Sequence, residues 1–165
     1  MIGLFYASDW GHTEKVARLI EEELGEDKVK IHDLQTDPIE EAEKYDQLIF
    51  GVSTADKHLP QLDWQMAMKK LDQLDLEGKT VALFGLGDQK EFPDNFADAL
   101  GDLFDKVNER GANIIGSWLD NEYTFQKSKA FRDGAFVGLV LDEDNQQDLT
   151  EIRLQKWLSR IDSEI

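Results

Sequence analysis

Residues 8–13 read Ser-Asp-Trp-Gly-His-Thr and lie between an apolar run, 2–7, and a helical rhythm that begins at Val16, Ala17 and Ile20. These residue types suit an anion. Ser8 and Thr13 can donate hydroxyl hydrogen bonds, and Gly11 permits close backbone approach. Amides at a helix start point toward such a ligand, and the helix dipole favours negative charge there. No lysine or arginine lies inside the turn, so neutral donors would hold a phosphate beside Asp9, Trp10 and His12. The plainer alternative is an ordinary turn with Thr13 as a helix cap.

Two further turns carry candidate chemistry. One is Ser53-Thr54-Ala55-Asp56-Lys57-His58-Leu59-Pro60, polar and long. The other runs from Gly85 to Phe92, with Gly87 and Asp88 between them. Its two glycines let backbone approach a flat ligand, and Phe92 could stack on it. The alternative is that Phe92 folds back into the core.

The elements that must position these turns alternate. Strand candidates are Ile2–Ala7, Val29–Leu34, Gln47–Ser53, Thr80–Leu86 and Asn113–Trp118. Their near-continuous apolar runs imply burial on both faces, as in a parallel sheet covered by helices. Helix candidates are Thr13–Leu24, Pro38–Tyr45, Asp63–Leu74 with Asp63 as its cap, Asp94–Arg110 and Asp148–Ile161. The last carries Leu149, Ile152, Leu154, Trp157, Leu158 and Ile161 as its apolar stripe. After Trp118 comes an irregular stretch, then a strand-like piece, Ala135–Leu141. It reads as an insertion interrupting the last strand. The expected fold is a doubly wound α/β domain spanning 1–165, with helices on both faces of a parallel sheet. In such sheets the ligand lies outside the carboxyl ends of the strands, where the winding reverses.

Charge narrows the partners. Thirty-five acidic residues against eighteen basic ones give a formal net charge of −17 over 165 residues. Nucleic acid and anionic lipid would be repelled, and basic partners attracted. The plainer reading is that acidity serves solubility. Cysteine is absent, which excludes disulfides and thiolate metal sites. The N-terminus lacks the basic, apolar pattern of a signal peptide, and no segment approaches the length of a membrane span. A cytoplasmic monomer is expected. No catalytic triad or metal-ligand spacing stands out, and the three histidines are scattered.

The chain resembles a long-chain flavodoxin over essentially its whole length. The resemblance rests on "GLFYASDWGHTEKVA", "ALFGLGDQKEFPDNFADALG" and "DGAFVGLVLDEDNQQDLTEIRLQKWL". Flavodoxin is the type example of a five-stranded sheet ordered 2-1-3-4-5 with FMN at the switch point, so that order is taken from the resemblance. The resemblance implies non-covalent FMN and one-electron transfer between redox proteins, with partners of the flavodoxin/ferredoxin-NADP reductase type. Carried over by position, Ser8, Asp9, Trp10, Gly11, His12 and Thr13 would hold the FMN phosphate. Ser53, Thr54, Ala55, Asp56 and Lys57 would line one side of the flavin. Gly87, Asp88 and Phe92 would line the other, with Asn95 and Asp144 nearby.

The chain departs from the family pattern at several of these positions. Trp10 replaces the middle threonine of the phosphate loop. Ala55 and Phe92 stand where most members place a stacking tryptophan and tyrosine. The third turn, "ADKHLPQ", lacks the usual glycine and glutamate. Backbone donors survive such changes, so the phosphate loop is expected to work. Trp10 is expected to pack over that loop, the alternatives being that it lies over the ribityl–phosphate end of FMN or points outward as a partner contact. His58 is a candidate for tuning the reduction potential. Non-glycine residues at Asp56 and Lys57 make a peptide flip beside flavin N5 costlier. Asp56, Asp63, Asp88, Glu91 and Asp144 are expected to form an acidic docking face. Two other functions compete: an FMN-dependent NAD(P)H reductase using the face opened by Ala55, and a degenerate binding module with weak FMN affinity. A phospho-receiver domain shares the fold but needs an acidic pair at the end of the first strand, which is missing.

Overall fold

The computed structural model describes residues 1–55, 59–119 and 121–165. Its elements run β1 (Ile2–Tyr6), α1 (His12–Leu24), β2 (Val29–Asp33), β3 (Gln47–Ala55), β4 (Leu59–Pro60), α2 (Leu62–Leu71), β5 (Thr80–Leu86), α3 (Asp98–Glu109) and β6 (Asn113–Ile115). Then follow β7 (Phe131–Arg132), β8 (Ala135–Phe136), β9 (Leu139–Leu141) and α4 (Thr150–Ile161). The parallel sheet is ordered β2-β1-β3-β5, with β6 and β9 both on the far side of β5. That is the expected order 2-1-3-4-5, with two short pieces in its last place. β6 pairs with Thr80–Ala82 and β9 with Phe84–Leu86. Residues 116–138 separate these two pieces. The sequence placed such an interruption between Trp118 and Ala135, but the second piece is shorter than the expected Ala135–Leu141: Ala135–Phe136 pairs with β7 in a separate ribbon, and only Leu139–Leu141 joins the sheet.

All five residues of β1 are buried, and β5 is buried from Val81 to Leu86. Helices cover both faces of the sheet, which explains the uninterrupted apolar runs. α1 buries Val16, Ala17 and Ile20 and packs beside α4, while α2 packs beside α3. Right-handed crossovers from a reversing strand order put these two pairs on opposite faces. Backbones and rings fit closely under the switch point. A Cβ at Gly51 would run into the ring tip of buried Phe84, so a larger residue there requires that ring to move.

Several helix expectations need correction. α2 begins at Leu62 and is capped by Gln61, whose side chain accepts from the Asp63 and Trp64 amides; Asp63 is not the cap. α3 begins at Asp98 rather than Asp94, because Ala97 adopts a left-handed φ of 53° that interrupts any earlier helix. Residues Ile39–Lys44 form a 3-10 turn, not an α-helix. On α4, Ile152 is 49% exposed, and Arg153 takes a buried place beside Leu154 and Trp157. The strand expected to reach Trp118 stops at Ile115, and Trp118 pairs instead with Phe136 of the insertion. There Phe96, Tyr123, Phe125 and Phe136 form an aromatic cluster, with Phe96 stacked on Phe125 at 5.4 Å.

Candidate functional site

The winding reverses between β1 and β3, and the turns after β1, β3, β5 and β9 converge there on a cavity of about 310 Å³. The first turn supplies Ser8, Asp9, Trp10, His12 and Thr13 to its lining. Gly11 caps α1 through backbone alone, with φ 85° and no side-chain cap. Thr13 lies inside the helix, so it is not the cap that the plainer reading required. The first helical bond runs from the Lys15 amide to the Gly11 carbonyl, and the Gly11 amide donates to Ser8 Oγ at 2.9 Å. The amides of His12, Thr13 and Glu14 precede the helical ladder and have no partner among the described residues. They form the positive end of a 13-residue helix at the cavity.

Trp10 is 90% exposed. The expectation that it packs over the loop is therefore wrong: its indole stands in solvent at the cavity rim. What fastens the loop is Asp9, whose Oδ1 accepts from Gln61 Nε2 at 2.9 Å. Gln61 is buried and caps α2 at the same time, so one side chain ties the first turn to the third.

From the third turn, Ser53, Thr54 and Ala55 line the cavity. Thr54 Oγ1 accepts from the Ala99 amide at 3.1 Å, which fixes the end of β3 against the start of α3. Ala55 pairs with Leu59. Asp56, Lys57 and His58 lie outside the described residues.

Across the cleft, Leu86, Gly87, Asp88 and Phe92 form the opposite wall. Asp88 Oδ1 accepts from the Lys90 and Glu91 amides at 3.1 and 2.9 Å and from Asn145 Nδ2 at 2.7 Å. The Phe92 amide donates to the Asp88 carbonyl at 2.9 Å. This turn holds the half-buried Phe92 ring at the cavity rather than in the core. Asn95 does not line the cavity; its side-chain Nδ2 donates to Asp98 Oδ2 at 3.1 Å.

The fourth contributor follows β9. Asp142 is fully buried and accepts from the Gln89 amide and side chain at 3.1 and 2.8 Å and from the Asn145 amide at 3.0 Å. Gln89 in turn accepts from the Thr124 amide, so the insertion is tied to the Phe92 turn. Glu143 and Asp144 line the cavity. Burial, then the Asp88 carboxylate, pushes the Asp144 carboxyl above its usual value, while His12 pulls it down. The Glu143 side chain is 2% exposed; Oε2 meets Lys15 Nζ at 3.0 Å, and Oε1 has no partner.

Gln61, Leu86, Gln89, Asp142 and Glu143 were not singled out from the sequence. The only hint was the acidic run at 142–144, where the charge pattern alone does not separate a buried network from a solvated face. The donor set suits a ligand with an anionic end, a flat ring and hydroxyl donors. The unpaired amides are donors suited to an anion, Phe92 offers a ring face at the cavity, and the Glu143 Oε1 atom lacks only a donor. Among the described residues no cluster of acidic or histidine side chains could hold a metal ion, and no helix is long and apolar enough to cross a membrane.

The doubly wound sheet places an anion-favouring helix start, with no side-chain cap, beside the cavity at its switch point. The flavodoxin family model matches residues 4–157. The chain is 45% identical over 163 residues to a flavodoxin of Nostoc sp., covering 99% of this chain and 96% of that one. Flavodoxin 1 of Escherichia coli is 42% identical over 164 residues, with 99% and 93% covered. The crystal structure of Fusobacterium nucleatum flavodoxin bound to flavin mononucleotide superposes with a TM-score of 0.94 at 32% identity, covering 99% of this chain and 98% of that one. The chain belongs to the flavodoxin family. Flavodoxins are electron-transfer proteins rather than enzymes, and they exchange electrons with reductases and acceptor proteins.

Proposed function

We propose that this chain is a low-potential one-electron carrier that holds FMN non-covalently and shuttles electrons between a reductase and acceptor proteins. It acts as a single cytoplasmic domain over residues 1–165, a monomer, and a long-chain member by virtue of the insertion at 116–138. The observation that carries this reading is the set of unpaired amides in the first turn of α1, at His12, Thr13 and Glu14, of which His12 and Thr13 line the switch-point cavity. Those amides, with Ser8 and Thr13, hold the phosphate. Thr54 and Ala55 line one side of the flavin, with Asp56 and Lys57 beyond them. Gly87, Asp88 and Phe92 line the other. The Glu143 oxygen left without a partner accepts from a hydroxyl of the ligand. When bound, FMN supplies the one-electron redox chemistry; the chain binds it, orients it and excludes water from it.

Low potential follows from charge. Asp9, Asp88, Glu143 and Asp144 all line the cavity, so added negative charge on the cofactor is opposed locally. That opposition fades beyond a Debye length of about 8 Å. Asp9, Glu91 and Asp144 are exposed around the cleft, and half-buried Asp63 and Asp88 lie among them. Together they form the face for basic partners. Encounters on such a face are small and weaken with salt.

A redox titration of the purified holoprotein tests the reading. A yellow protein with one FMN per chain, inert toward NADH and NADPH alone and reduced by a basic reductase at a rate that falls with salt, is expected. Steady NADPH turnover by the protein alone would favour a reductase that uses the flavin face opened at Ala55. A colourless protein that does not take up FMN would favour a degenerate binding module.

A further inference from the structure

We propose that the charge on His12 sets how tightly this chain holds the phosphate end of FMN, so that cofactor retention depends on pH. The inference rests on the FMN reading above and assigns a role to a residue of this chain's own loop. His12 is the first residue of α1, is exposed, and lines the cavity beside the amides that await an anion. Among the described residues lining that cavity it is the only side chain able to carry positive charge; the other ionisable ones are the carboxylates of Asp9, Asp88, Glu143 and Asp144.

The charged groups around it come from four segments. Asp9 precedes it in its own loop. Glu14 and Lys15 follow on α1, where Glu14 lies 4.0 Å from Arg18 and Lys15 is spent on Glu143. Asp88 comes from the turn after β5. Asp144 comes from the turn after β9, close enough to feel the imidazole's charge. A phosphate dianion entering this setting gains from three neutral amides and is repelled by the carboxylates. An imidazolium at position 12 is the one side-chain counter-charge available on the described walls.

Histidine ordinarily changes charge near pH 6.5, so the contribution switches within the physiological range. The sign follows from linkage. A bound phosphate favours the protonated ring, so the contribution is present below histidine's ordinary titration and is lost as pH rises through the bound-state value. The pair is solvent-exposed, which limits its effect on affinity to about two- to fivefold.

The test measures FMN and riboflavin dissociation constants of the apoprotein from pH 6.0 to 8.5, for the parent, His12→Ala and His12→Lys. His12→Ala is expected to weaken FMN binding about two- to fivefold at pH 6.0, with the ratio falling toward one at pH 8.5. His12→Lys should hold FMN with no such pH-dependent loss relative to the parent at low pH. Riboflavin, which lacks the phosphate, should show no effect of either change. The His12 ring proton signal should titrate at higher pH in the holoprotein than in the apoprotein. Parallel FMN curves for parent and His12→Ala would overturn the proposal, as would an equal effect on riboflavin. An apoprotein that takes up neither flavin would overturn the cofactor reading itself, a separate outcome.

Discussion

Replacing Gln61 should damage stability and cofactor binding together, because its side chain serves two turns at once. Its Oε1 accepts from the Asp63 amide at 2.8 Å and the Trp64 amide at 3.3 Å, and so caps α2. Its Nε2 donates to Asp9 Oδ1 at 2.9 Å and to Asp63 Oδ2 at 2.7 Å. Losing a cap costs about 0.5–2 kcal/mol. A hydrogen bond to a charged group contributes about 1.5–3 kcal/mol, and the exposed Asp9 carboxylate recovers part of that from water. Gln61→Ala should therefore destabilise the apoprotein by about 2–3.5 kcal/mol in urea unfolding. Gln61→Met keeps the volume without the polar atoms, and should show most of the same loss if hydrogen bonds rather than packing are responsible. Because Asp9 then moves freely, FMN binding has to order the loop first, and affinity should fall about three- to tenfold. Gln61→Glu keeps an acceptor for the cap but sets a third carboxylate beside Asp9 and Asp63. Its cost should shrink as pH falls below about 4.3. A change in stability under 0.5 kcal/mol for Gln61→Ala, or normal FMN affinity despite the expected destabilisation, would refute the link between the two turns.

Three other substitutions probe the walls of the site. Asp142→Ala strands the buried donors of Gln89 and the half-buried Asn145 amide and should cost about 2–4 kcal/mol in chemical denaturation, and a loss under 1 kcal/mol would contradict the network. Asp144→Asn should stabilise the apoprotein at pH 7. Burial and Asp88 raise the native carboxyl's titration above its unfolded value, so the ionised form opposes folding. The gain should disappear below about pH 4, where both states are protonated, and a pH-independent gain in thermal unfolding would exclude this cause. Trp10→Ala should leave apoprotein stability within about 0.5 kcal/mol, since the indole is 90% exposed, and a larger loss in urea would mean that it packs after all.

The elements legible in the sequence were those whose burial is uniform or periodic. Runs such as 2–7 and 81–86 are apolar throughout because both faces of their strands are covered. Val16, Ala17 and Ile20 mark α1 because only one of its faces is. The split last strand was readable from its two apolar pieces, yet its exact ends were not. Trp118 and Phe136 are as apolar as any core strand but are consumed by the insertion's own aromatic cluster. The helix starts were misplaced where a backbone state overruled side-chain preference. Asp63 has the chemistry of a cap, but Gln61 occupies that position, and no local rule selects a glutamine for it. The site shows the same division. Its anion end was visible because a glycine and flanking hydroxyls announce a turn of that kind. Gln61, Gln89 and Asp142 were not, because each acts on a partner more than thirty positions away. Turn chemistry is local and leaves a local mark, whereas the fastening of one turn to another is a tertiary property. Trp10 belongs to neither class: it interrupts the turn's pattern without joining the turn's packing, which is why sequence alone put it on the wrong side of the surface.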